Sequence, residues 1–184
     1  MGMTLARGCQ GAGLWCVVLV AMLMLSACGF HLRGAADLPE AMESTFLEGV
    51  GLNSDLGRAL QQSIRSGGGR VVTRAEDASA VLAVQRNDMR RRVLSVDAQG
   101  KANEYELTYT LGFALKDPGG TPLLEPQTIA VVRAFNFDAD NALAMSNEEA
   151  RLAQEMVDSA VAQMLRRVGA ATRKAPPASA GVTG

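Results

Sequence analysis

The sequence predicts an α+β fold: a two-layer sandwich in which a roughly four-stranded sheet carries two amphipathic helices on one face. Three observations lead there. Tyr105, Leu107, Tyr109, Leu111, Phe113 and Leu115 alternate with Glu106, Thr108, Thr110, Gly112 and Ala114, a period of two with one apolar face. Leu52, Leu56, Leu60 and Ile64 recur every four residues, and a second helical stripe runs from Leu152 to Val168. The order is strand, helix, three or four strands, helix; one-sided strands need a cover, and two amphipathic helices supply it.

In chain order, Ser44 to Leu47 reads as a short first strand. The first helix is capped at its start by Asn53 or Ser54 and ended by Gly67-Gly68-Gly69, since glycine enters the left-handed region without penalty. Arg70 to Thr73 is a short strand, and Ala80 to Val84 begins a longer one that continues through an arginine-rich stretch to Leu94. Asp97 to Gly100 and Asp117 to Gly120 read as turns on either side of the alternating strand. A further strand within Thr128 to Phe135 completes an antiparallel hairpin. In the last helix, Ser146-x-x-Glu149 matches a capping box, in which the serine hydroxyl and the glutamate carboxylate each satisfy an orphan backbone donor. Leu152, Met156, Val157, Ala160, Val161, Met164, Leu165 and Val168 keep helical spacing, and Gly169 is expected to stop the helix. From Ala170 to Gly184 the chain is rich in Ala, Pro, Ser, Thr and Gly and lacks apolar anchors, the composition of a disordered tail.

Ahead of this domain lies a processing signal. Leu14 to Leu25 is an apolar run of 12 residues. That length suits a secretory signal core of roughly 7–15 residues and falls short of the ~20 that a membrane-spanning helix needs. The run ends in Leu25-Ser26-Ala27-Cys28, which resembles the bacterial lipobox. That resemblance implies cleavage before Cys28, a diacylglycerol on its sulfur and an acyl chain on the new amine. The expected organisation is 1–27 signal peptide, 28–40 lipidated lead, 41–169 α+β domain and 170–184 tail. Several acyl chains on one residue supply the anchoring that a single chain cannot.

Cleavage also settles the cysteine count. Of three cysteines, Cys9 and Cys16 leave with the signal and Cys28 becomes a thioether, so the mature chain keeps no disulfide, thiolate nucleophile or cysteine metal site. Charge is close to balanced, −1 for the whole chain, which favours no nucleic acid or other polyanion in bulk and leaves anion recognition to local groups. The single histidine, His31, sits three residues from the anchor, so histidine zinc sites and a Ser-His-Asp triad have no material in the domain. Glu104 and Glu106 share one strand face and read as solvated. We expect no enzyme, no cofactor and no metal.

Two groups of residues remain for binding. Arg86, Arg90 and Arg92 share one face of a strand and Arg91 takes the other. Arginine forks match phosphate bidentately, which suits a phosphorylated lipid; the alternative is a sheet edge guarded by charge. Phe135-Asn136-Phe137-Asp138, with Arg133 beside it, reads as core or near-core packing rather than a partner contact.

Residues Cys28-Gly29-Phe30-His31-Leu32-Arg33-Gly34 resemble the start of mature lipoproteins of the LptE lipopolysaccharide-assembly family. Further similarities follow in family order: Ala102 to Leu107, Arg133 to Asp138, and Ala142 to Ala144 with Asn147-Glu148-Glu149. The resemblance implies a small sheet with two packed helices. It implies a plug inside the outer-membrane β-barrel LptD that binds lipopolysaccharide and helps insert it into the outer leaflet. It also implies export to the outer membrane, since Gly29 rather than aspartate follows the cysteine. By motif, Arg133 falls in one lipid-contacting region of the family, and Lys101 lies near another; Arg90 and Arg92 join them on phosphate chemistry alone. The arginine-rich stretch and the tail inherit no role. A lipoprotein adaptor or pilot for another outer-membrane complex is the competing reading.

Overall fold

The computed structural model describes residues 38–138 and 141–174; Cys28, the targeting segment, most of the lead and residues 175–184 of the expected tail lie outside them. The described elements are β1 (Ser44–Glu48), α1 (Asp55–Ser66), β2 (Arg70–Val72), β3 (Ala80–Val96), β4 (Ala102–Lys116), β5 (Pro122–Asn136) and α2 (Ala142–Lys174). They form one five-stranded sheet in the order β2-β1-β3-β4-β5. β1 runs parallel to both β2 and β3, while β3, β4 and β5 form an antiparallel meander. The expectation of roughly four strands is therefore one short. β2 has only three residues, and it is held by its parallel register on β1, Ser44 opposite Arg70 through Phe46 opposite Val72.

Alternation along β4 sets the layers. Leu107, Tyr109, Leu111, Phe113 and Leu115 are all buried, in one cluster with Leu56, Leu60 and Ile64 of α1 and Met156, Val157, Val161, Met164 and Leu165 of α2. Each large apolar side chain taken out of water contributes roughly 1.5–3 kcal/mol. The other β4 face carries Glu104, Glu106, Thr108 and Thr110, half-buried and polar.

Ser54 is the cap of α1: its hydroxyl accepts from the Gly57 N–H at 3.0 Å. The helix thus starts at Asp55, which leaves Leu52 in the preceding turn, 37% exposed, rather than in the apolar stripe. Gly57 is required here, because a Cβ would stand 2.1 Å from the Gly51 carbonyl oxygen. Both hairpins close on the same device. An aspartate carboxylate, Asp97 or Asp117, accepts from the N–H four residues on, and the intervening Gly100 or Gly120 takes positive φ.

Three further expectations are corrected. β5 begins at Pro122, well before Thr128, and absorbs Pro126 at an irregularity where Phe113 faces Gln127 but Leu115 faces Leu124. α2 begins at Ala142, so Ser146 and Glu149 lie inside the helix and form no capping box. Ala142-Leu143-Ala144-Met145 are strong helix formers and carry the helix further towards its N-terminus. At the other end α2 passes through Gly169 to Lys174. Gly169 is buried beside Val168, and packing of that face outweighs the roughly 1 kcal/mol that glycine costs a helix.

Candidate functional site

The far ends of β3, β4 and β5 carry the chemistry. On the helix-covered face the register aligns Arg91, Leu107 and Arg133 in one row across the three strands, and Val93, Tyr105 and Phe135 in the next. Tyr105 is the hub. Phe135 stacks on it with centroids 5.9 Å apart, and Phe137 meets it edge-on at 5.1 Å and 89°. The Arg91 guanidinium lies 4.8 Å above the same ring and pairs with Glu149 of α2 at 2.8 Å. Phe135 is only 8% exposed and Phe137 packs against the core, as the sequence led us to expect of this segment. Such rings favour offset and edge-on contacts and attract a cation over their face.

Apolar side chains are also exposed on the elements that carry this cluster. Val93, Leu94 and Val96 at the end of β3 are exposed, and Leu143 at the start of α2 is 79% exposed.

The four residues singled out for phosphate recognition do not converge. Arg133 lies on the helix side of β5, exposed, its Nη1 donating to the Val132 carbonyl at 2.9 Å; it makes no ion pair among the described residues. Lys101 sits at the tip of the β3–β4 hairpin, with its N–H on the Asp97 carboxylate. Arg133 is in register with Leu107, which places it about 20 Å along the strand from Lys101 at ~3.3 Å per residue. Arg90 and Arg92 are on the opposite, uncovered face, as their shared parity required. Each has a carboxylate: Arg90 with Asp88 at 2.7 Å, Arg92 with Glu106 at 2.6 Å. The hydrogen bond from Arg92 holds the Glu106 carboxyl below its ordinary value and raises Arg92 in turn. These two arginines thus fit the charge-guarded edge better than a phosphate site.

Arg91, assigned in the sequence only to the other face, is the arginine that shares a row with Arg133. Its signal was parity: on β3 it lines up with the odd-numbered aromatic positions of β4. Elsewhere on the covered face, a cleft of about 340 Å³ opens between the start of α1 and α2. At its floor the Tyr109 hydroxyl donates to Asn87 Oδ1 at 2.8 Å, and burial pushes the phenol up to about 12.

Comparison with known proteins bears on this arrangement. The family model described as LptE: Lipopolysaccharide-assembly matches residues 39–168, from ahead of β1 almost to the end of α2. The chain belongs to the LptE family. It is 29% identical over 154 residues to the LPS-assembly lipoprotein LptE of Pectobacterium atrosepticum, covering 83% of this chain and 82% of that one. It is 30% identical over 152 residues to its counterpart in Photorhabdus laumondii, covering 81% of each. Among solved structures it is similar to lipoprotein B of Nitrosomonas europaea, with a TM-score of 0.65 and 32% identity, covering 79% of this chain and 94% of that one. The rare lipoprotein B of Shewanella oneidensis superposes with a TM-score of 0.60 at 28% identity, covering 69% and 94%. The LptE-family match thus spans α1, most of α2 and the whole sheet, including the Tyr105 cluster.

Proposed function

We propose that this LptE-family protein is an outer-membrane lipoprotein, anchored on the periplasmic side through Cys28. In this reading it plugs the β-barrel LptD, assists its assembly and binds lipopolysaccharide on its way to the outer leaflet. The observation that carries the reading is the family match over residues 39–168. The lipobox at Leu25 to Cys28 supports the anchor. A compact two-layer domain with a polar uncovered sheet face suits a barrel interior, which is polar. Towards the far end of the sheet, Arg133 on β5 supplies an exposed cation, and Val93 on β3, one row further along the same face, supplies exposed apolar surface. Lipopolysaccharide presents phosphates beside acyl chains, the complementary pair.

Three measurements test this. Coexpression of the full chain with LptD should yield a copurifying equimolar complex; its absence would favour a pilot or adaptor for another outer-membrane pore. Arg133→Glu should weaken lipopolysaccharide binding about 10- to 100-fold, because a charge-assisted hydrogen bond contributes ~1.5–3 kcal/mol. Unchanged binding would remove Arg133 from the site. Labelled palmitate should be incorporated by the wild type and not by Cys28→Ala.

A further inference from the structure

Beyond the plug reading, and whatever partner that reading requires, the outer edge of β5 has the features of a binding surface. β5 is the last strand of the sheet and pairs only with β4 among the described residues. Which of its backbone groups point outward is fixed by three hydrogen bonds. The Phe137 N–H donates to the Asn103 carbonyl at 2.8 Å, so odd-numbered residues turn their main chain towards β4. Even-numbered residues turn theirs away, and two of their carbonyls are already taken by arginine side chains. Thr128 O accepts from Arg167 Nη1 of α2 at 3.0 Å, and Val132 O accepts from Arg133 Nη1 at 2.9 Å. No acceptor among the described residues meets the N–H groups of Ala130, Val132 or Ala134.

The two long free edges of the sheet are treated differently. Beyond its pairing with β1, which ends at Ala83, β3 carries Arg86, Asp88, Arg90, Arg91 and Arg92. Dense charge of this kind discourages strand pairing. β5 is blocked only at its start, by Pro122 and Pro126. From Gln127 to Asn136 it holds one charge, Arg133, among β-branched, small and aromatic residues. A ten-residue edge of that composition spans ~33 Å and is a template for an added strand.

We propose that this edge accepts an extended, carboxylate-bearing strand from another polypeptide. The N–H groups of the incoming strand take over the Thr128 and Val132 carbonyls and release the Arg167 and Arg133 guanidiniums. Both of these lie on the helix side of the edge, near positions 129 and 133, so the complementary strand carries two carboxylates four residues apart on that side. A second copy of this chain does not meet the requirement. Lying antiparallel, its β5 would set Ile129, Val131 or another Arg133 against Arg133, and its one acid, Glu125, falls on the blocked proline side. Four guanidiniums would then be released with no counter-ion.

The test uses the full-length acylated protein in detergent and a fluorescein-labelled decapeptide, Thr-Glu-Thr-Val-Thr-Glu-Thr-Val-Thr-Asn, with a second peptide bearing lysine for both glutamates. Fluorescence anisotropy should show the glutamate peptide binding at least tenfold more tightly than the lysine peptide. Arg167→Glu, at a residue outside the proposed lipopolysaccharide contact, should erase or reverse that preference while lipopolysaccharide binding stays unchanged. In amide exchange on the unsubstituted protein, the peptide should newly protect Ala130, Val132 and Ala134, whose N–H groups face outward, far more than Ile129 and Val131. Absence of saturable peptide binding, protection without this even–odd contrast, or a β5-mediated homodimer that excludes the peptide would each overturn the proposal.

Discussion

Phe135→Ala probes whether the Tyr105 cluster is packed interior or a loose surface patch. Phe135 is 8% exposed, stacks on Tyr105 and belongs to the main core cluster. Truncating a buried phenylalanine costs roughly 3–5 kcal/mol, of which ring stacking is about 0.5–1.5. Phe135 stands near the end of an edge strand, where neighbours relax more freely, so the lower end of the range applies, about 3 kcal/mol. At about 3 °C per kcal/mol for a domain of this size, the thermal midpoint should fall by about 10 °C. Urea titration of the mature domain gives the free energy directly, with an unchanged slope if only packing is lost. Val132→Ala is the internal control: at 47% exposed on the same strand, it should cost under about 0.5 kcal/mol. A cost below about 1 kcal/mol for Phe135→Ala would mean that the aromatic cluster is not part of the core and that the rows across β3, β4 and β5 are misplaced.

Two other expectations follow from local geometry. Ser54→Ala removes the α1 cap and should cost about 1 kcal/mol, whereas Ser146→Ala, inside α2, should cost no more than a few tenths; equal costs in denaturant titration would restore the capping box that the fold removes. Burial of Tyr109 raises its phenol to about 12 in the folded chain against about 10 when unfolded. Its contribution to stability is therefore complete below pH 10 and lost as pH rises through 12. Below pH 10 the wild-type thermal midpoint should keep a constant offset from that of Tyr109→Phe, and between pH 10 and 12 it should fall relative to the variant; an offset unchanged through that window would show that the phenol is not buried.

Where side-chain alternation reports burial on one face only, the sequence was sufficient. β4 was legible because every odd residue from Leu107 to Leu115 faces the helices. The near-core position of Phe135 was legible for the same reason. The first half of β5 was not, since Pro122, Pro126 and the irregularity between them break the period of two. Local signals do not set the ends of α2: Ser146-x-x-Glu149 and Gly169 have the composition of helix termini, but flanking alanines and burial carry the helix past each. For the site, period two correctly separated Arg91 from Arg90 and Arg92. It could not reveal that Arg133 stands two strands away in the same row as Arg91, because that depends on inter-strand register, which no local pattern encodes.

That register bears on which cation meets an anionic ligand first. Arg91 is already satisfied: its guanidinium lies over Tyr105 and pairs with Glu149, and both contacts must loosen before a phosphate can replace them. The cation–π contact contributes about 0.5–1 kcal/mol and a surface ion pair about 0–1 kcal/mol. Arg133, in the same row, has only the Val132 carbonyl, a neutral acceptor that water replaces at little cost. Arg91 is thus a brace between α2 and the aromatic cluster, and under the proposed function Arg133 is the cation left to meet the ligand. Arg91→Met should lower stability by about 1 kcal/mol while changing lipopolysaccharide affinity less than Arg133→Glu does. Charge reversal at Arg133 should leave stability within about 0.5 kcal/mol, as expected of an exposed residue with one neutral partner. If the two variants exchanged roles, with Arg91 governing affinity and Arg133 stability, the division of labour drawn from their hydrogen bonds would be wrong, and the ligand would lie over Tyr105 instead of at the β5 edge.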